Sequence, residues 1–71
     1  MTEKQLKEFG KKIKHKMIDK NITQRELAQK AGVSEVMISR ILKGDKKPPF
    51  DTVLSIAKCL GVKVDDLLPS K

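Results

Sequence analysis

The stretch TQRELAQKAGVSEVMISRILKG, running from Thr23 to Gly44, decides how the rest of the chain is read. Thr23 with Glu26 three residues on has the form of a capping box, in which each side chain satisfies a backbone N–H that the first helical turn leaves unpaired. Ile22 and Leu27 stand at the spacing of a hydrophobic staple around that cap. A helix starting here carries Leu27, Ala28 and Ala31 and stops at Gly32 after about two turns. Ser34 then offers a second N-cap, Val33 and Ile38 repeat the staple spacing, and the helical pattern continues to Lys43 before Gly44 ends it. Two short helices joined through Gly32 and Val33 leave no room for a loop and must meet at a steep angle. Gly32 supplies the backbone conformation so sharp a turn requires, and Ala28 is small where the second helix crosses closely.

Outward from this pair the chain stays helical, with apolar residues recurring at three and four rather than at two. A first helix is predicted from about Thr2 to Lys20. Leu6, Phe9, Ile13 and Met17 form one buried stripe, and Lys4, Lys7, Lys11, Lys12, Lys14 and Lys16 surround it. Asn21 ends that helix, since Asn tolerates the left-handed conformation of a helix terminus. Beyond Gly44 comes the basic break Lys46-Lys47-Pro48-Pro49. A fourth helix follows from about Phe50 to Leu60, with Val53, Leu54, Ile56, Ala57 and Leu60 on one broad face. Gly61 closes it, and Val64 to Leu68 offers a last turn or two before Pro69. The expected fold is all-α, a compact single domain of five helices over residues 1–71.

Composition narrows the function classes. Sixteen Lys and Arg against nine Asp and Glu give a net charge of +7, so a polyanionic partner is expected. Hydrophobic residues make up 38% of the 71, enough for one small core and too much for a disordered tail. The single Cys59 and single His15 supply neither a disulfide framework nor a Cys/His zinc site. Apolar runs are too short for a membrane span or a secretory segment, which makes the expected setting cytoplasmic and reducing. No catalytic constellation, metal site or cofactor is expected. Asp65 and Asp66 open a helix and read as end-capping charge. His15 sits between lysines and reads as exposed, and Cys59 reads as a buried small hydrophobe. With Phe9 and Phe50 as the only aromatics, stacking of single-stranded bases has little support.

The geometry of the 23–43 pair is that of a helix-turn-helix. On a helical wheel centred on Ile38, Ile41, Leu42 and the cap Ser34 fall toward the core. Val36, Ser39, Arg40 and Lys43 fall on the opposite face, which nothing in so small a chain is left to cover. An apolar inner face with an outer face of Val, Ser, Arg and Lys suits a DNA major groove. The run Gln24-x-x-Leu27-Ala28-x-x-Ala31-Gly32-Val33-Ser34-x-x-x-Ile38-Ser39-x-Ile41, followed by Gly44, resembles the Cro/C1-type helix-turn-helix family of phage repressors and bacterial regulators. The likeness continues through Ile56-Ala57-Lys58-Cys59-Leu60-Gly61-Val62 and Asp65-x-Leu67-Leu68, and covers roughly Phe9 to Leu68. It implies a lambda-repressor-like fold and sequence-specific binding of duplex DNA by the third helix, usually as a homodimer on inverted-repeat half-sites. It also implies base reading by Glu35, Val36, Ser39 and Arg40. Backbone contacts are implied for Thr23, Gln24, Ser34, Lys43, Lys46 and Lys47. The chain departs from the family where position 17 often carries an Arg paired with an acidic residue at position 42. Here Met17 and Leu42 stand there, and Lys16 replaces a frequent Leu.

The leading expectation is a small Cro-like repressor, because 71 residues leave no room for a ligand-sensing or separate dimerisation domain. An antitoxin or anti-regulator working through protein binding is the alternative. A nonspecific nucleoid-type binder fits the charge but not the well-formed third helix. Two packing expectations follow. Met17 and Leu42 should pack together, with Leu42→Ala costing about 2–4 kcal/mol as for a buried Leu. Val62, Val64, Leu67, Leu68 and Pro69 should expose enough apolar surface to support a dimer that is weak without DNA.

Overall fold

A computed structural model describes residues 1–69; Ser70 and Lys71, the end of the expected 1–71 unit, lie outside the described residues. The element order is α1 (Glu3–Lys20), α2 (Gln24–Ala31), α3 (Glu35–Lys43), α4 (Phe50–Leu60) and α5 (Val64–Leu67). Among the described residues there is no strand, so the all-α expectation holds.

Each boundary has a local cause. Thr2 begins α1: its hydroxyl accepts from the Gln5 N–H at 3.1 Å, and Gln5 Oε1 accepts from the Thr2 N–H at 2.8 Å. This Thr-x-x-Gln capping box adds to the one expected at Thr23. Asn21 closes α1 in the left-handed region, at φ 56° and ψ 45°, as its residue type suggested. At the turn, Gly32 adopts φ 72°, and the Val33 N–H reaches back to the Ala28 carbonyl at 3.0 Å. Only three residues therefore separate α2 from α3. At the far end of the chain Asp66 Oδ2 accepts from the Lys63 N–H at 3.4 Å, a capping role for that carboxylate.

All five helices meet in one core of Phe9, Ile13, Met17, Leu27, Ala28, Ile38, Ile41, Val53, Ile56, Ala57, Leu60 and Leu67. α1 packs most extensively on α3, and α2 on α4. Gly10 makes the first of these contacts possible. A Cβ built there would run into the Leu42 carbonyl oxygen and come within 2.7 Å of the Ile41 carbonyl oxygen, so only a bare backbone lets α1 cross the end of α3 this closely. The last described turn is tied back to α1 by Lys12 Nζ, which donates to the Leu68 carbonyl at 2.7 Å.

Several expectations need correction. Leu6 is half-buried rather than part of the sealed stripe, because an α1 of 18 residues outruns the shorter helices that cover Phe9 to Met17. Leu54 is 37% exposed. It lies two residues before Ile56 and so points away from the α4 face that Val53, Ile56, Ala57 and Leu60 bury. Cys59 is half-buried at the edge of the core. Leu67 is fully buried, which removes it from the proposed dimer patch; Val62, Val64, Leu68 and Pro69 are half-buried. Leu42 is half-buried, packed against the core rather than within it.

Candidate nucleic-acid interface

The third helix is held at both ends by its own sequence. Ser34 Oγ accepts from the Met37 N–H at 3.1 Å, and Gly44 closes the helix at φ 78° with its N–H on the Ile41 carbonyl at 3.1 Å. Gly44 is also where α1 passes: a Cβ there would lie 2.7 Å from Lys7 Cγ and 2.8 Å from Lys7 Cα. Ile38 and Ile41 anchor the inner face in the core, which fixes how the helix is turned about its axis.

That orientation leaves Glu35, Val36, Arg40 and Lys43 exposed on the outside. Val36 is 61% exposed, although burying an apolar side chain of its size is favourable. Ser39 is half-buried, so the wheel placed it further outward than it sits; it lies 100° around from Ile38, on the helix flank. Ser34, expected toward the core, is exposed, because an N-cap residue has extended rather than helical backbone and does not follow the wheel.

The two caps expected at the DNA backbone differ in what they have left to give. Thr23 Oγ1 accepts from the Glu26 N–H and donates to Glu26 Oε1, both at 3.1 Å, so its hydrogen is engaged within the capping box. Ser34 Oγ only accepts, and its hydrogen remains available to an outside acceptor. Gln24, Lys46 and Lys47 are exposed at the start of α2 and in the loop after α3. Met17 and Leu42, where the family often places a charged pair, line one cleft at the end of α1.

The structure brings the expected residues to three adjoining places: the outer face of α3, the first turn of α2 and the loop before α4. Residues 13–67 match the helix-turn-helix family HTH_3. The chain belongs to that family. An HTH-type transcriptional regulator of Methanocaldococcus jannaschii, MJ0272, itself uncharacterized, is 41% identical over 56 residues, covering 79% of this chain and 85% of that one. The HTH-type transcriptional activator BcrR of Enterococcus faecalis is 34% identical over 61 residues, which are 86% of this chain and 30% of BcrR. The restriction-modification controller protein C.AhdI from Aeromonas hydrophila has the same fold, with a TM-score of 0.86 at 21% identity over 89% of this chain and 96% of that one.

Sequence reasoning missed Gly10 and Lys7, which set how α1 lies against the helix-turn-helix. Both are silent in a hydrophobic pattern, since neither is apolar at a core position. Among the described residues no group of three or more His, Cys, Asp or Glu could hold a metal ion, and no helix is long and apolar enough to cross a membrane.

Proposed function

We propose that this chain is a sequence-specific DNA-binding transcriptional regulator that reads the major groove with α3. The observation that carries the reading is the outward face of that helix. Val36 and Arg40 lie one turn apart and exposed on a helix whose opposite side is sealed in the core. An apolar group placed outward matches a thymine methyl, and the planar donor pair of Arg matches guanine O6 and N7. Glu35 and Ser39 flank them and complete the base-reading set. Gln24, Ser34, Lys43, Lys46 and Lys47 hold the phosphates, with Thr23 contributing chiefly by capping α2. Residues 1–71 act as one domain, with its helix-turn-helix at about 23–43.

The finer reading is a cytoplasmic repressor that binds as a homodimer. A domain of this size seated on a promoter acts most simply by excluding other proteins from it. Two copies related by a two-fold axis place both reading helices on one side of the duplex when half-sites lie roughly 10 bp apart, centre to centre. The relatives are named as transcriptional regulators, which does not favour the antitoxin alternative.

Selection of bound sites from random duplex DNA tests specificity and symmetry together. An inverted repeat with a guanine in each half-site is expected. Arg40→Ala should then cost roughly 1–3 kcal/mol per contact and relax the preference at that guanine, whereas Lys46→Ala should weaken all sequences alike. Equal loss on operator and random duplex, with base preference intact, would reduce Arg40 to a phosphate contact. A lone half-site bound as tightly as the full repeat would reject the dimer.

A further inference from the structure

A helix of one turn cannot hold itself in place, because forming that turn fixes several dihedrals for a single hydrogen bond. α5, at four residues, is that short, so its position has to be set from elsewhere in the fold. Two contacts set it. The Leu67 side chain is fully buried, with α1 and α4 packed on α5. The other is Lys12 on α1, whose Nζ donates to the Leu68 carbonyl at 2.7 Å across 56 residues of sequence. Among the described residues every other side-chain hydrogen bond joins residues three apart. The Lys12 bond alone ties one element to another.

The two anchors constrain different things. Burial of Leu67 fixes the depth of α5, but apolar burial is not directional and leaves the turn room to pivot about its one sealed side chain. The Lys12 bond is directional and charge-assisted. It grips the backbone at Leu68, where the helix ends and the chain turns extended, at φ −67° and ψ 142°. Val64, Leu68 and Pro69 are all half-buried around that point, and Val62 lies just before α5. These four are what is left of the apolar patch expected to meet a second copy of the chain. We propose that Lys12 is a positioning residue for the homodimer: by holding the Leu68 carbonyl, its ammonium fixes the apolar face that α5 and its flanks present to the second copy. This rests on the homodimer reading. A two-fold contact uses the same patch on both copies, so each dimer has two such latches and loosening them counts twice.

Lys12 differs in this from its neighbour Lys11, which is exposed, whereas Lys12 is half-buried. Both add the same charge to a basic helix and the same diffuse attraction to DNA. The ordinary alternative is that Lys12 only stabilises the folded monomer. The two roles separate on DNA. A purely stabilising contact affects a single half-site and an inverted repeat alike once the folded fraction is corrected for. A positioning residue affects the repeat, where two copies must meet, and spares the half-site, which one copy binds through α3.

The test uses the full chain, the inverted repeat obtained by site selection and the same duplex with one half-site scrambled. Affinities of wild type, Lys12→Met, Lys12→Arg and the control Lys11→Gln are measured on both, corrected for the folded fraction. Lys12→Met should lower the ratio of repeat to half-site affinity about tenfold or more, the order expected when a hydrogen bond to a charged group is lost. Its half-site affinity should match that of Lys11→Gln, which should keep the wild-type ratio. Lys12→Arg, with a charged donor on a long stem, should retain most of the ratio. In the free protein the Leu68 amide, bonded to the Val64 carbonyl at 3.2 Å, should exchange its hydrogen faster in Lys12→Met, by a larger factor than the Ile41 amide does. A Lys12→Met ratio equal to wild type overturns the proposal, whatever happens to Tm, and leaves Lys12 a plain stabilising contact. The same fall in ratio for Lys11→Gln also overturns it, since charge alone would then account for the effect. If wild type binds the repeat no more tightly than the half-site, the homodimer reading fails first, and the positioning role with it.

Discussion

Replacing Gly10 with Ala sets two effects of opposite sign against each other, and the crossing of α1 over α3 decides between them. In an isolated helix the change stabilises, by about 0.5–1 kcal/mol, because Gly loses more backbone entropy on folding. In this structure the new methyl group would meet the Leu42 carbonyl oxygen head on, and lie 2.7 Å from the Ile41 carbonyl oxygen and 2.9 Å from the Leu42 carbonyl carbon. All three atoms are backbone, so no side chain can swing aside. Relief requires α1 and α3 to separate by several tenths of an ångström along the most extensive helix contact in the fold. Overpacking of this kind costs about 1–3 kcal/mol. Set against the propensity gain, the net loss is about 1–2 kcal/mol, or a fall in Tm of roughly 5–15 °C for a domain this small. Urea and thermal unfolding followed by circular dichroism measure it directly. A Tm that rises by a few degrees would mean that propensity alone is acting and that the close crossing is wrong.

Three other outcomes follow from the same structure. Gly44→Ala should destabilise more than Gly32→Ala, since both need positive φ, at 78° and 72°, but only a Cβ at Gly44 meets another helix; equal losses in parallel denaturant titrations would discount the Lys7 contact. Thr23→Ala and Ser34→Ala should each cost about 1 kcal/mol of stability as lost N-caps. When affinity is corrected for the folded fraction, only Ser34→Ala should also lose DNA binding, because only Ser34 has a hydroxyl hydrogen to spare. Leu42→Ala should cost about 1–2 kcal/mol, below the range of fully buried leucines, because its site is half-buried; a loss beyond 3 kcal/mol in chemical denaturation would place it inside the core after all.

Much of this fold was legible because the chain punctuates itself. Thr23 with Glu26, Ser34, Asn21 and the glycines at 32, 44 and 61 mark helix ends by mechanisms confined to a few neighbouring residues, and each terminus lies where those residues put it. Burial was legible where a residue sits mid-helix on a single stripe, as do Phe9, Ile13, Ile38 and Ile41. It failed where the wheel does not apply or where length matters. Ser34 precedes α3 with extended backbone, so the helical period does not reach it. Leu6 overhangs its partners, and Leu54 lies off the α4 face that four other residues already fill. Leu67 looked like surplus apolar surface only because the tertiary pocket that takes it comes from distant helices. The largest omission, the crossing at Gly10, depends on a distance between two helices 30 residues apart in sequence, which no local pattern encodes.

These constraints bear on where the specificity of the candidate interface resides. The backbone of α3 is fixed by a hydroxyl cap at one end, a left-handed glycine at the other, two isoleucines inside and the bare Gly10 against its last carbonyls. Little freedom remains for the helix to tilt or rotate as a body. A preference among base sequences must then come from the few side chains that project from it, chiefly Glu35, Val36 and Arg40, and not from re-docking of the helix. On the proposed reading, packing and base contact fall to different residues of the same helix, Ile38 and Ile41 buried and Glu35, Val36 and Arg40 exposed. Changes at 35, 36 and 40 should therefore alter which sequence is bound with little effect on unfolding, because those side chains touch no core. Changes at 10, 38 and 41 should do the reverse, lowering stability while the surviving folded molecules keep the same preference. A substitution at Ile38 or Ile41 that shifted the preferred sequence without loss of stability would show that α3 is mobile, and that its face is set by the DNA rather than by the fold.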